Sequence, residues 1–407
     1  MDVGDVIASR RADLGLTQTE LAAALNTTSG RDTVTRNEVS RWERGDVAPR
    51  YWLPHLATVL DVPLHDLRIA ARGSKVSRRG VGDAVDAIRV AHEWLVTEQP
   101  QVIERRSGRR IGAALVKRLG ERVAELRQLD DHLAGGDTHS LVARELETTL
   151  RLVDEASYSE ETGRGLLAVA GELAQLAGWV CSDAGMNAEA TGYYLTGVRA
   201  ATLAGDRAGA ANNLSSLAYH VSNVGNPGDA ALIARTAAAG ADDAPPKVRA
   251  LLAERVAWAH ARAGQGDETE RALGQVDDLL DAADGAAEPG WVYWLDRREA
   301  DVMAGRCYTE LRRPLRAVPL LTRATAAYRD DSRRELALYL SWLAVAYVDA
   351  RELDEARRVA RRVIELTSGT SSMRAHGRAE LVIERLREFA GEKAISDLIA
   401  QHHGAEI

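Results

Sequence analysis

The chain is 407 residues long, 45% hydrophobic and 28% charged, with a net charge of −8. That length exceeds one ordinary domain and points to two or three. The charge is uneven: the first 80 residues carry 12 basic and 10 acidic side chains and the remainder 40 and 50, so the remainder repels phosphate and any nucleic-acid affinity has to lie in the head.

Apolar Val6, Ile7, Leu14 and Leu16 predict a first amphipathic helix, with Gly15 as its left-handed stop. Two capping boxes follow, Thr17-Gln18-Thr19-Glu20 and Thr35-Arg36-Asn37-Glu38. In each, the Thr hydroxyl accepts from a backbone N–H one turn in, and the Glu returns a bond to the cap residue's own N–H. The second helix is expected from Gln18 to about Leu25, with Leu21, Ala22 and Leu25 inward and Gln18 at the positive end, where a phosphate can dock. In the third, Val39 and Trp42 face the core, while Arg36, Asn37, Ser40 and Arg41 face outward. An Arg fork reaches guanine O6 and N7, and an Asn amide reaches adenine N6 and N7, so this outer face can tell base pairs apart in a major groove. Gly45 ends the helix, Pro49 prevents its continuation, and Tyr51 and Trp52 close the small core.

From about Val3 to Leu67 these residues resemble the Cro/repressor type of helix-turn-helix, the XRE family. The resemblance rests on Arg11, Leu14-Gly15-Leu16-Thr17-Gln18, Glu20-Leu21-Ala22, Val39-Ser40-Arg41-Trp42-Glu43-Arg44-Gly45 and Pro49. It implies a five-helix DNA-binding domain over residues 1–70, in which Arg36, Asn37 and Arg41 contact bases, Gln18, Ser40 and Arg44 contact phosphates, and Arg11 and Glu43 form an internal ion pair. The departure is the stretch Asn26 to Val34, roughly seven residues longer than the usual tight turn. Its Thr, Ser, Gly and Asp content reads as loop, either a small wing whose Arg31 reaches a phosphate or a tolerated surface insertion.

Residues 71–82, basic and Gly-rich, read as a linker. A helical lead-in over 83–160 is interrupted near Pro100, Ser107-Gly108 and Gly135-Gly136, and no strand pattern is present. Over 161–370 the chain repeats itself. A small residue (Gly178, Ala218, Ala257, Gly305, Ala344) is followed twelve positions later by an alanine (Ala190, Ala230, Ala317, Ala356), with Thr269 in the third unit. Small residues at a fixed offset are what two antiparallel helices need where their backbones approach. Five such pairs and a capping pair in 371–407 make an all-α protein whose body is an α-solenoid, similar to tetratricopeptide repeats but with a period longer than their ~34 residues.

A head and body of these kinds resemble the peptide-pheromone receptors of Gram-positive bacteria and, still more, the long helix-turn-helix regulators of actinomycetes. Ala177-Gly178-Trp179, Ala184-Gly185, Gly192-Tyr193-Tyr194-Leu195 and Ala204-Gly205-Asp206 carry the second likeness. It implies a sensory repeat domain controlling a DNA-binding homodimer in the cytoplasm, with a palindromic operator. If the first helix of each pair lines a concave surface, Gln175, Trp179, Asn212, Ser215, Tyr219, Glu254, Trp258 and Arg306 lie on it and suit an extended peptide or a small-molecule effector. Asn212 is the leading candidate because an amide offers a donor and an acceptor together.

No phosphate loop, dinucleotide fingerprint, metalloprotease helix or nucleophile elbow is present, so catalysis is not expected and no cofactor or metal is implied. Cys181 and Cys307 match no metal or redox spacing. No early apolar run follows a basic start, and no stretch approaches ~18 uninterrupted apolar residues, so neither a leader nor a membrane segment is expected. The expectation is therefore a ligand-responsive transcription regulator, with a protein-interaction scaffold recruited to DNA as the alternative.

Overall fold

The computed structural model describes residues 3–29, 34–43, 49, 52–60, 62, 67, 76–96, 105, 107–132, 135–326, 328, 333–368 and 372–404. The chain divides into two units, Met1–Val85 and Asp86–Ile407.

In the first unit, helices α1 (Val3–Asp13), α2 (Gln18–Ser29), α3 (Arg36–Glu43) and α4 (Leu53–Leu60) enclose a core of Ile7, Leu21, Leu25, Val39, Trp42, Leu56 and Leu60. Gly15 takes φ +69°, and the Gly15 and Leu16 amides bond back to the carbonyls of Ala12 and Arg11. A left-handed residue of this kind closes a helix without a Cβ clash. Two expectations are corrected here. Leu14 lies beyond the end of α1 and is 46% exposed, so it is not part of the apolar stripe. The second helix does not end near Leu25 but continues to Ser29, because the Thr27 and Thr28 hydroxyls donate to the carbonyls of Ala23 and Ala24 and hide their polarity on the helix itself. The insertion is thus shorter as a loop than its composition suggests, and residues 30–33 lie outside those described. So does most of the expected fifth helix, although Leu67 packs into the same core.

The second unit is built of helices throughout its described length. Helix α5 (Val76–Val96) begins within the stretch that reads as a linker, and its stripe of Ala87, Val90, Ala91 and Trp94 is buried. Helices α6 (Ala113–His132) and α7 (Gly135–Glu155) follow, with isolated bridges tying Arg105 to Tyr158 and Arg110 to Ser157. Five antiparallel pairs come next: α8 (Glu160–Asp183) with α9 (Asn187–Ala204), α10 (Arg207–Val224) with α11 (Pro227–Gly240), α12 (Pro246–Arg262) with α13 (Gly266–Ala282), α14 (Arg297–Glu310) with α15 (Pro314–Thr325), and α16 (Arg333–Asp349) with α17 (Leu353–Thr367). Helices α18 (Met373–Arg387) and α19 (Lys393–Gly404) close the stack.

The repeated small residues are buried within the stack. Ala218, Ala257, Ala344, Ala190, Ala230, Ala317 and Ala356 are all 0% exposed, and so is Thr269. Thr269 fits because its hydroxyl donates to the Gln265 carbonyl at 2.8 Å, which leaves only a methyl group facing the partner helix. A Cβ on Gly178 would meet the Tyr194 ring at 2.6 Å, and one on Gly305 would meet the Leu321 Cγ at 2.5 Å. Helix α8 is long and apolar enough to cross a membrane, but 67% of that apolar window is buried within the body, which accounts for its composition.

Gly305→Ala and Gly178→Ala are therefore expected to lower unfolding free energy by about 1–3 kcal/mol through overpacking. Gly274→Ala, on the exposed face of α13 with open space around it, should raise stability by about 0.5–1 kcal/mol. Urea denaturation of the three variants checks this, and equal effects at all three positions would remove the steric explanation.

Candidate nucleic-acid interface and effector cavity

Both capping boxes are formed. The Thr17 N–H donates to Glu20 Oε2 at 2.7 Å and the Glu20 N–H to Thr17 Oγ1 at 3.2 Å. The Thr35 N–H donates to Glu38 Oε2 at 3.1 Å and the Glu38 N–H to Thr35 Oγ1 at 3.4 Å. These caps place the first turns of α2 and α3. On α3, Val39 and Trp42 are buried, Arg36, Asn37 and Arg41 are exposed, and Ser40 is half-buried. Trp42 packs against Trp52 with ring centroids 6.3 Å apart.

A single carboxylate organises the base of this surface. Arg11 Nε donates to Glu43 Oε1 at 2.5 Å and Arg11 Nη2 to Glu43 Oε2 at 3.3 Å. Arg11 Nη1 donates to the Leu16 carbonyl at 2.7 Å. Gln18 Nε2 donates to Glu43 Oε2 at 2.6 Å. The Gln18 amide nitrogen, expected to meet a phosphate, is thus turned onto Glu43 and locks the start of α2 to the end of α3. Arg31 and Arg44, the remaining expected phosphate contacts, lie outside the described residues.

A sequence profile described as Helix-turn-helix matches residues 7–51, spanning α1 to the approach of α4. The N-terminal unit is a helix-turn-helix domain. A domain of this kind supports a DNA-binding regulator. No curated protein matches the chain. Within the domain, Glu43→Ala releases Arg11 and Gln18 together. Opening free energies from amide hydrogen exchange in α1 to α3 should fall by about 1.5–3 kcal/mol, and no change would demote the carboxylate to a surface contact.

In the second unit the inner helices of the stack curve until Ser372, at the start of α18, donates its hydroxyl to Asp183 of α8 at 3.2 Å. They surround a cavity of about 230 Å³. Gln175, Trp179, Asn212, Tyr219, Glu254 and Arg306 all line it. Ser215 and Trp258 do not, which corrects their placement. The Ser215 hydroxyl is turned back onto the Asn212 carbonyl at 2.9 Å. Trp258 is 1% exposed, edge-on to Trp342 at 5.5 Å, and bonded through Nε1 to Asn223. Its ring belongs to the core because the pair interface leaves a space that only a large flat side chain fills.

Sequence reasoning did not single out Arg255, Arg374, Glu299, Trp291 or Trp294, which also line the cavity. The Glu254-Arg255 pair inside an apolar helix was a readable signal, as was the aromatic run Trp291-Val292-Tyr293-Trp294 after Pro289-Gly290. Arg374 gave none, since only the curvature of the stack brings α18 to α10.

Most charged groups at the cavity are matched by the protein. Arg127 pairs with Glu172 at 3.0 Å and Arg334 with Glu335 at 2.8 Å. Arg306 and Arg374 each donate to the Tyr219 hydroxyl at 2.8 Å. Glu299 accepts from Tyr339 at 2.8 Å and also from Tyr328. Among the described residues Arg127 Nη2 and Arg306 Nε have no partner of their own, but two charged side chains make no hydrogen bond at all. Glu254 and Arg255 are 1% and 5% exposed, and neither side chain has a hydrogen-bond partner among the described residues. Asn212 differs from its neighbour in the same way. The Asn213 amide donates to the carbonyls of Gly171 at 3.1 Å and Gly209 at 3.0 Å, whereas no hydrogen bond joins the Asn212 side chain to a described residue.

Burial pushes the Tyr219 phenol up, but Arg306, Arg374 and Arg255 outweigh it and bring it down to about 7. Burial raises the Glu254 carboxyl to about 7, against the pull of Arg255 and with help from Glu299. The two groups have opposite consequences. A carboxyl raised in the fold costs stability as pH climbs from its ordinary range to about 7, whereas a depressed phenol contributes stability that is lost as pH falls through about 7. Glu254→Gln should therefore raise the melting temperature on the alkaline side of about 7 and leave it unchanged in acid. Tyr219→Phe should delete a phenolate absorbance step centred on about 7, and an absorbance titration identical to the parent's would refute the assignment.

Proposed function

We propose that the protein is a ligand-responsive transcription regulator, whose head reads an operator and whose body, a tetratricopeptide-like repeat domain, senses a small effector. The observation that carries the DNA half is the exposed face of Arg36, Asn37 and Arg41 on a helix fixed at both ends, by the Thr35 cap and by Glu43. Donor forks and an amide on a rigid helix suit base edges, and rigidity removes the ordering cost of docking. Gln18, Ser40, Arg44 and Arg31 surround that face in the chain and supply backbone contacts, with Gln18 offering phosphate its N-terminal amides more than its occupied side-chain nitrogen.

The sensing half is supported by the cavity, which is smaller than the ~300–1,000 Å³ of pockets for drug-sized ligands. A volume of about 230 Å³ favours a small effector over the extended peptide that the concave surface suggests, and over a docked partner protein. In this reading the protein works as a cytoplasmic homodimer on two half-sites about one helical turn apart, and the effector alters whether both heads engage together.

Fluorescence anisotropy with DNA from upstream of the protein's own gene tests the reading. Affinity should fall steeply with salt. Arg36→Ala or Arg41→Ala should cost about 1–3 kcal/mol at the cognate site and relax preference at one base pair. Unchanged binding by the double variant, or binding that survives removal of residues 1–70, would overturn it.

A further inference from the structure

The effector cavity holds a pair of opposite charges that the protein itself does not satisfy. Glu254 and Arg255 are consecutive on α12, both line the cavity, and both are more than nine-tenths buried. Glu254 Oε1 and Arg255 Nε have no hydrogen-bond partner, and no ion pair joins either side chain to a described residue. Burying a charge without a hydrogen-bond partner is costly, and the attraction between Glu254 and Arg255 offsets only part of that cost. The other arginines facing the cavity are engaged: Arg306 and Arg374 on the Tyr219 oxygen, Arg127 on Glu172 and Arg334 on Glu335. A guanidinium without a partner matches a carboxylate, with two parallel donors in its fork. A carboxylate without a partner matches an ammonium group.

We propose that the cavity binds a free α-amino acid with an apolar or aromatic side chain, its ammonium group on Glu254 and its carboxylate on Arg255. The proposal rests on the reading of the body as a sensor and gives that sensor a ligand class. Three further features select the class. The volume of about 230 Å³ accommodates an amino acid and is too small for an extended peptide. Trp179, Trp291 and Trp294 form an aromatic wall beside the charged pair, suited to an apolar side chain. The unpartnered Asn212 amide adds a donor and an acceptor at the same cavity, able to serve either end of a zwitterion. Arg255 also lies over the Tyr219 ring at 4.8 Å and the Trp294 ring at 5.8 Å, which holds the guanidinium in place without consuming its donors.

The test is isothermal titration of the full chain with L-leucine, L-phenylalanine and L-tryptophan, followed by thermal shift. At least one should bind with a submillimolar Kd and raise the melting temperature. Its N-acetyl derivative, which lacks the ammonium charge, and its carboxamide, which lacks the carboxylate, should each bind about tenfold or more weakly, as loss of a charge-assisted hydrogen bond requires. Glu254→Gln should weaken the amino acid by a similar factor while leaving the N-acetyl derivative unchanged, and Arg255→Gln should do the same with respect to the carboxamide. Both substitutions remove a buried unmatched charge, so folding, checked by circular dichroism, is preserved. Absence of binding by all three amino acids, N-acetyl derivatives that bind as tightly as their parents, or a preference for a free pentapeptide would each overturn the assignment. Anisotropy on operator DNA in parallel separates the two readings: an amino acid that binds without changing DNA affinity sinks the sensing role and leaves the site, whereas operator binding by a protein that takes up none of the three amino acids leaves the regulator and sinks the site.

Discussion

Antiparallel helices pack closely only where one side of the contact carries little or no side chain, and the body of this protein is organised around that limit. Ala218, Ala257 and Ala344 are fully buried, as are Ala190, Ala230, Thr269, Ala317 and Ala356, while Gly178 and Gly305 leave the room that the Tyr194 ring and the Leu321 side chain occupy. The small residues recur at one offset along the stack, as in repeat folds where each unit packs on its neighbours. The accumulated curvature brings Ser372 to Asp183, 189 residues away in sequence, and the inner helices enclose a space as a result.

Enclosure changes what the charged side chains can do. Arg306 is 6% exposed and has lost nearly all its water, yet it lies over Trp258 at 4.4 Å, Trp342 at 5.3 Å and Tyr219 at 5.4 Å. Arg378 lies over the other side of the same ladder, 3.5 Å from the Trp342 centroid, and burial brings its guanidinium down to about 9. Ring faces replace part of the lost hydration. They are less effective than a carboxylate, which is why a phenol in this cluster is drawn toward ionisation. The buried aromatics and arginines therefore act as one electrostatic body, in which a charge placed at any member is felt by the rest.

The head was legible from sequence where local chemistry decides structure. Thr17 with Glu20, and Thr35 with Glu38, need only three residues of separation to form a cap, and Gly15 needs only its own backbone. The repeat offset was legible because it recurs. Composition misled over the stretch from Asn26 to Ser29, where threonines that normally favour loops satisfied their hydroxyls on the preceding turn, and over residues 76–82, where glycines stand within a helix. At the cavity, Asn212 and Glu254 followed from helix phase, whereas Trp258 and Ser215 share that phase and point elsewhere, since a spacing rule gives a face but not a rotamer. Arg374 follows from no local rule. Its position depends on the summed curvature of every pair before it.

The insertion in the head has its two ends fastened together. Asn26 Nδ2 donates to the Val34 carbonyl at 2.9 Å, and the Val34 N–H donates back to Asn26 Oδ1 at 2.9 Å. One amide thereby imitates a rung of β-ladder across the neck of the insertion, while Val34 is buried beneath it. The clasp therefore fixes where the chain re-enters the core, one residue before the Thr35 cap that starts the third helix, so the two helix ends are tied by side-chain chemistry as well as by the chain between them.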